Sequence, residues 1–415
     1  MTDDREPIAT GPERLKVLDL GQFIAGPLVA TLLGDLGAEV IKVERPGVGD
    51  RARGNLPAPA NVRGMSYEWQ IESRNKRSTT LDVANPKGYE LLMELVSWAD
   101  VVVQNFRLDT AEKLGLSYEA LRAVNPRLVY VSVSAFGATG PYRDRIAFDY
   151  VACAFGGLTY TTGNADGPAT PGFAVADYMA GVFGALGALE AIRRRDGVGG
   201  TGIGEWVDVG LYEPILRFST PWLTAFTRDG LLRERDGVRQ LGDREAPPLV
   251  WGDTFRTADG HWIAMLPIQH TERLQQRLFE AMDRPELLED ARFRDRAARL
   301  EHLDALSDVV RQWCATQSRA EILAKLGQAG TACSPVNSAQ DLCSDPQVLE
   351  RNLVTVPDHR GQPLTMQGVV PRLVGRPGEV RWTGEELGAS NDAVFLDLLG
   401  LPKEDYLALI AEGVI

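Results

Sequence analysis

From Lys16 to Val133 the sequence switches repeatedly between short β-branched runs and longer stretches with helical spacing. Lys16-Val17-Leu18-Asp19-Leu20 is the first such run. A turn at Gly21-Gln22 leads into an amphipathic stretch carrying Leu28, Leu32, Leu33 and Leu36, which Gly37 stops. Val40 to Glu44 predicts the next strand, closed by Pro46 and Gly47, and together these segments make a βαβ unit. Thr79 to Val83 predicts a further strand. Asn85-Pro86 opens a helix running through Trp98, with the proline in the first turn, where its missing N–H is tolerated. Val101-Val102-Val103 and Leu128 to Val133 predict two more strands. Strands joined by helices imply a parallel sheet covered on both faces. Ligands of such sheets sit at the carboxyl ends of the strands, so chemistry is expected in the loops after Leu20, Glu44, Val103 and Val133.

Past Asp177 the pattern changes. Ala180 to Arg195 predicts a long helix whose Gly181, Gly184 and Gly187 imply close packing on another helix. Gly197 to Gly204 is a glycine-rich connection, and Trp206-Val207-Asp208-Val209 predicts one more strand. Composition shifts again near Phe226: a hairpin signalled by Asp259-Gly260 precedes a charged helical stretch from Glu272 to Leu326. The tail from Ala332 is broken by Pro and Gly and ends in helical segments at Asn391 to Leu399 and Lys403 to Ala411. A chain of 415 residues exceeds one ordinary core. The expected plan is α/β: a large domain and linker over 1–225, a smaller α+β domain over 226–330, and a return to the large domain over 331–415.

A net charge of −13 argues against a nucleic-acid partner, which needs a positive surface. No apolar run approaches the roughly 18 residues needed to span a bilayer, and Met1 to Lys16 lacks the apolar core of a signal peptide. Cys153, Cys314, Cys333 and Cys343 show neither CxxC nor metal-ligand spacing, which suits reduced thiols in a cytoplasm. The four histidines, His261, His270, His302 and His359, all lie in the second half. The first βα turn is where a dinucleotide fold needs G-x-G-x-x-G. Gly21-Gln22-Phe23-Ile24-Ala25-Gly26-Pro27 places bulky Phe23 and Ile24 where backbone must approach a pyrophosphate, and Pro27 removes a donor.

Several collinear segments carry a resemblance. They include Leu36-Gly37-Ala38-Glu39-Val40-Ile41-Lys42-Val43-Glu44-Arg45-Pro46-Gly47, Gly49-Asp50, Asn75-Lys76-Arg77-Ser78, Asn105-Phe106, Asn125-Pro126-Arg127, Phe148-Asp149, Asp177 followed by Ala180-Gly181, and the terminal Gly413-Val414-Ile415. In these the chain is similar, over nearly its whole length, to the class III CoA-transferases, the family of formyl-CoA and carnitine CoA-transferases. The resemblance implies a Rossmann-like large domain built from both chain ends, a small middle domain, and two subunits interlocked as a homodimer. It implies coenzyme A as co-substrate, with acyl-CoA and a small carboxylic acid as partners and no permanently bound cofactor or metal. Asp177 matches the family nucleophile and Asp149 an acidic residue close to it. Phe23, Arg45, Leu81, Asn105, Phe106 and Lys113 match positions that contact CoA, with Arg45 and Lys113 toward its phosphates and Leu81 toward its adenine. Each also has an ordinary structural reading: Asp177 as a helix N-cap, Asp149 as a turn residue, Leu81 as a core strand position, Lys113 as a solvated helix face.

The sequence departs from the family in places. A glutamine close to the intermediate is replaced by Ile24, with Gln22 two residues earlier; Ile146 and Ala84 stand where basic residues are found. Glu245 to Gly252 lacks the glycine run that shields the intermediate in formyl-CoA transferase. An acid other than formate or oxalate is therefore expected, with succinyl-CoA the first donor to try. A second carboxylate would want an arginine, and Arg51, Arg53, Arg74, Arg143 and Arg145 are candidates. The α-methylacyl-CoA racemases look similar over the same length, but their histidine base falls at Phe148, which cannot take a proton; a non-catalytic acyl-CoA-binding protein is the other alternative, and the retained Asp177 weighs against it.

Overall fold

The computed structural model describes residues 8–9, 11, 13–55, 57–59, 64–219, 221–232, 235, 239–240 and 251–415. Of the segment from Glu245 to Gly252, which lacks the glycine run, residues 245–250 lie outside the described residues. The chain divides into two compact units. One comprises Met1–Leu158, Thr170–Thr220 and Pro346–Ile415; the other comprises Thr159–Ala169 and Pro221–Asp345.

The larger unit is built on six parallel strands: β1 (Lys16–Asp19), β2 (Glu39–Glu44), β3 (Lys76–Thr80), β4 (Val101–Gln104), β5 (Val129–Ser134) and β6 (Trp206–Gly210). Their spatial order is β3-β2-β1-β4-β5-β6, which is Rossmann-like, with the direction of winding reversing between β1 and β4. Alternate residues serve two separate cores. Val17, Val101, Val103, Val129 and Val131 pack to one side with helices α1 (Ala25–Asp35) and α4 (Val175–Asp196). Leu18, Ile41, Val102 and Tyr130 pack to the other with α2 (Pro86–Trp98). The C-terminal segment fills this second side with Phe395, Tyr406, Leu409, Val414 and Ile415, and Asp82 N–H donates to the Val414 carbonyl at 2.8 Å.

Strand β3 begins three residues earlier than the sequence pattern predicts. Its Lys76 and Arg77 are buried, and a hydrophobicity pattern reads them as surface. They are tolerated because Lys76 Nζ lies 2.9 Å from Asp19 Oδ2 on β1 and Arg77 Nε 2.8 Å from Glu39 Oε1 on β2. Helix α4 likewise starts at Val175, five residues before the predicted Ala180. By length and composition α4 could cross a membrane. Here its glycine face abuts α1: a Cβ at Gly181 would lie 2.6 Å from Leu28 Cδ2, and one at Gly184 2.7 Å from Val29 Cγ2.

The smaller unit has its own core of Phe255, Ile263, Leu278, Phe279, Phe293, Leu306 and Ile322. Antiparallel strands Trp251–Arg256, Trp262–Met265 and Cys333–Pro335 pack there with helices that include Glu272–Ala281, Leu303–Cys314 and Arg319–Ala329.

Candidate active site

Where the sheet reverses direction, the loops leaving β1 and β4 part. Two cavities open there, both within the larger unit. The first, about 350 Å³, has an apolar wall of Leu20, Val43, Leu81, Val83, Phe106, Leu114 and Leu116, with Arg45 exposed at its rim and Ala84 in its lining. The second, about 400 Å³, is lined by Phe23, Asn105, Phe148 and Asp177 together with four arginines, Arg51, Arg107, Arg143 and Arg145. Gln22 and Phe106 line both.

The β1 loop is held by buried polar groups. Asn105 accepts from Gln22 N–H at 2.8 Å and donates to Gln22 O at 2.7 Å, so its carboxamide is spent on the loop backbone. Asp50 Oδ1 accepts from Phe23 N–H at 3.0 Å, and Lys42 Nζ donates to the Gly21 carbonyl. These clamps hold Phe23 at a φ of +61°, a left-handed conformation that costs a bulky residue about 1–2 kcal/mol. Lys42 also lies 3.0 Å from Asp50 Oδ2 and 3.5 Å from Asp19 Oδ1. Burial alone would raise the pKa of Asp19, but Lys42 and Lys76 outweigh it and hold the carboxyl below its usual value.

Asp177 is the third residue of α4, inside its first turn; the N-cap is Ala174, which offers no side-chain acceptor. The capping role falls instead to Asp149, the first residue of α3 (Asp149–Phe155). Its Oδ1 accepts from Ala176 N–H at 2.6 Å and from Asp177 N–H at 3.2 Å. The helix N-terminus thus stabilises the Asp149 charge directly. Asp177, for which the capping reading was open, keeps its carboxyl in the second cavity. Burial first, then the Asp149 and Glu68 carboxylates, push the Asp177 pKa up to about 7.

Of the positions expected at the site, Phe23, Arg45, Leu81, Asn105, Phe106 and Asp177 line one or other cavity. Asp149 touches Asp177 through the backbone. Lys113 lies outside both linings, largely exposed and 3.6 Å from Asp109. The pairing of Asp149 with the α4 backbone spans too much sequence for any local motif to signal it. The arginines do sort themselves by their partners. Arg53 Nε is buried at 2.6 Å from Glu44, and Arg74 Nη2 is buried at 2.5 Å from Asp35, so neither is available. No histidine lines either cavity, and Phe148 stands exposed in the second. Among the described residues no group of three or more His, Cys, Asp or Glu side chains could hold a metal ion.

This arrangement, two cavities at the reversal point of a parallel α/β sheet with an acid of raised pKa in one of them, is where such folds bind their ligands. The family model for CoA-transferase family III matches residues 13–391, and the chain belongs to that family of transferases. It is 39% identical to the succinyl-CoA–L-malate CoA-transferase beta subunit of Chloroflexus aurantiacus over 97% of both chains. It is 38% identical to the succinyl-CoA–D-citramalate CoA-transferase of the same organism, again over 97% of both. Among solved structures, a CaiB/BaiF family protein from Brucella suis superposes with a TM-score of 0.81 at 29% identity, covering 94% of this chain and all of that one.

Proposed function

We propose that this transferase moves CoA from succinyl-CoA to a second dicarboxylic acid through covalent intermediates on Asp177. The observation that carries the reading is an acid with a pKa near 7 at the end of a groove whose other half is apolar with a cationic rim. The apolar slot of Leu81, Val83 and Leu116 suits the adenine, and Arg45 at the rim suits a phosphate. Succinate, malate and citramalate, the acids named for the two relatives, are all dicarboxylic.

The Asp177 carboxylate attacks the thioester carbonyl, forming a mixed anhydride and releasing CoA thiolate. The thiolate attacks the Asp177 carbonyl carbon, expelling succinate and leaving an aspartyl-CoA thioester. The carboxylate of the acceptor acid attacks that carbonyl, giving a new anhydride and thiolate. The thiolate then takes the new acyl group, and Asp177 returns as a carboxylate. Charge and protons balance across the cycle. A carboxylate more basic than an ordinary aspartate is a better nucleophile in the first step, where Asp177 attacks the thioester.

Incubation with succinyl-CoA alone, followed by peptide mass mapping with and without borohydride, tests this. The expected product is a CoA adduct on the peptide holding Asp177, converted to an alcohol by borohydride. Exchange of deuterium into the α-carbon of an acyl-CoA, with no adduct, would overturn the reading in favour of proton transfer.

A further inference from the structure

We propose that Arg51 receives the remote carboxylate of the dicarboxylic substrate and makes the Asp177 cavity selective for such acids; the inference rests on the transferase reading above. Four guanidinium groups line this cavity, and three are already engaged. Arg107 Nε is 3.4 Å from Asp109 Oδ1, Arg143 Nε is 3.5 Å from Asp144 Oδ2, and Arg145 stacks on Tyr142 at 3.7 Å from the ring centre. The Arg51 guanidinium has no ion pair or hydrogen bond among the described residues. The lining carboxylates Asp109 and Asp144 each sit beside their own arginine. Asp177 carries no charge as an anhydride or thioester, so the exposed Arg51 guanidinium is the cation of this lining that no acidic side chain meets among the described residues. One further carboxylate on the substrate balances it.

The mount supports the role. Arg51 opens a short 3₁₀ turn, Arg51–Gly54, whose other early residues, Ala52 and Arg53, are buried, while Arg51 projects. Asp50 caps that turn by accepting from Ala52 N–H at 2.9 Å, and its own N–H donates to Glu44 Oε2 at 2.9 Å. The same Asp50 oxygen accepts from Phe23 N–H. One buried carboxylate therefore joins the turn bearing Arg51 to the loop bearing Gln22 and Phe23, which line the cavity with it. A guanidinium on a fixed backbone loses less freedom on binding and presents paired donors to a carboxylate.

The test compares kcat/KM for succinyl-CoA with that for butyryl-CoA, which carries a methyl where succinyl-CoA carries its remote carboxylate. Wild type, Arg51→Gln, Arg51→Lys, Arg143→Gln and Arg145→Gln are measured, each with its unfolding midpoint. Arg51→Gln is expected to lower the ratio about 100-fold, the scale for stranding one member of a bonded charge pair. Arg51→Lys, which keeps the charge and loses the fork, is expected to recover part of it. An unchanged ratio in Arg51→Gln, or a collapse in Arg143→Gln or Arg145→Gln instead, overturns the assignment. The Asp177 adduct separates the two levels: an adduct with an unmoved ratio defeats this inference alone, whereas no adduct from any thioester in the wild type defeats the transferase reading and this inference with it.

Discussion

The central residue pair is Asp149 and Asp177, two carboxylates with divided labour. Asp149 takes the α4 backbone donors and Asp177 takes the cavity, and their proximity contributes to the raised Asp177 pKa. If ionised Asp177 is the nucleophile, kcat/KM falls as pH drops below about 7. Asp149→Asn keeps an oxygen for the helix N–H groups but removes the neighbouring charge, so the acid limb is expected to move to lower pH. A pH–rate profile of that variant checks the direction. The same shift has a cost in stability. Because the folded pKa lies above the unfolded one, the unfolded chain gives up this proton first, and stability falls as pH rises from about 4 to about 7. Above that range the buried charge costs roughly 4 kcal/mol. Asp177→Asn removes the charge. Its urea midpoint is expected to exceed the wild-type value by more at about pH 8 than at about pH 5, even as turnover is lost.

At the scale of elements, what decides the site is how two loops are tied at the reversal between β1 and β4. Asp50 is the knot: it meets Phe23 N–H, Ala52 N–H and Lys42 with one carboxylate. Asp50→Asn is expected to lower stability by about 3–5 kcal/mol, the range for breaking a buried charge pair. It should also raise KM for acyl-CoA as the Phe23 loop loses its grip. Denaturant midpoints and steady-state kinetics read the two effects separately. These ties also show which parts of the fold the sequence makes legible. β4 and β5 stand out because their β-branched runs need no partner to be recognised, and β1 and β2 because Val17-Leu18 and Val40-Ile41 survive beside the buried Asp19, Glu39, Lys42 and Glu44. β3 was misplaced because Lys76 and Arg77 are buried only by virtue of Asp19 and Glu39 on other strands. Asp177 could be singled out through its family position, yet its cap, Asp149, acts across a long loop. The five candidate arginines look alike as letters and differ only in what they meet: Glu44 for Arg53, Asp35 for Arg74, Asp144 for Arg143, Tyr142 for Arg145, and no partner among the described residues for Arg51.

At the scale of the whole molecule, one surface of the larger unit is out of character for an isolated chain. While α4 turns Gly181 and Gly184 toward α1, Val182, Leu186 and Leu189 are exposed, with Leu186 59% exposed; Phe218 is 65% exposed. The spacing of the three α4 residues places them along one helix face. Apolar residues in such a row mark an interaction surface more often than chance scatter does. We propose that two copies of this chain cover these faces as an interlocked homodimer, which would also help exclude water from an anhydride that water would destroy. Light scattering on the purified chain is expected to give twice the mass of a single chain, 45.4 kDa, across the accessible concentration range. Leu186→Glu puts a charge into the row. It should lower that mass and, because burial of this face contributes to folding, lower the melting temperature in a concentration-dependent way. A wild-type chain that runs as a monomer and still forms the Asp177 adduct at full rate would sink the dimer, and the exposed row would then need another partner.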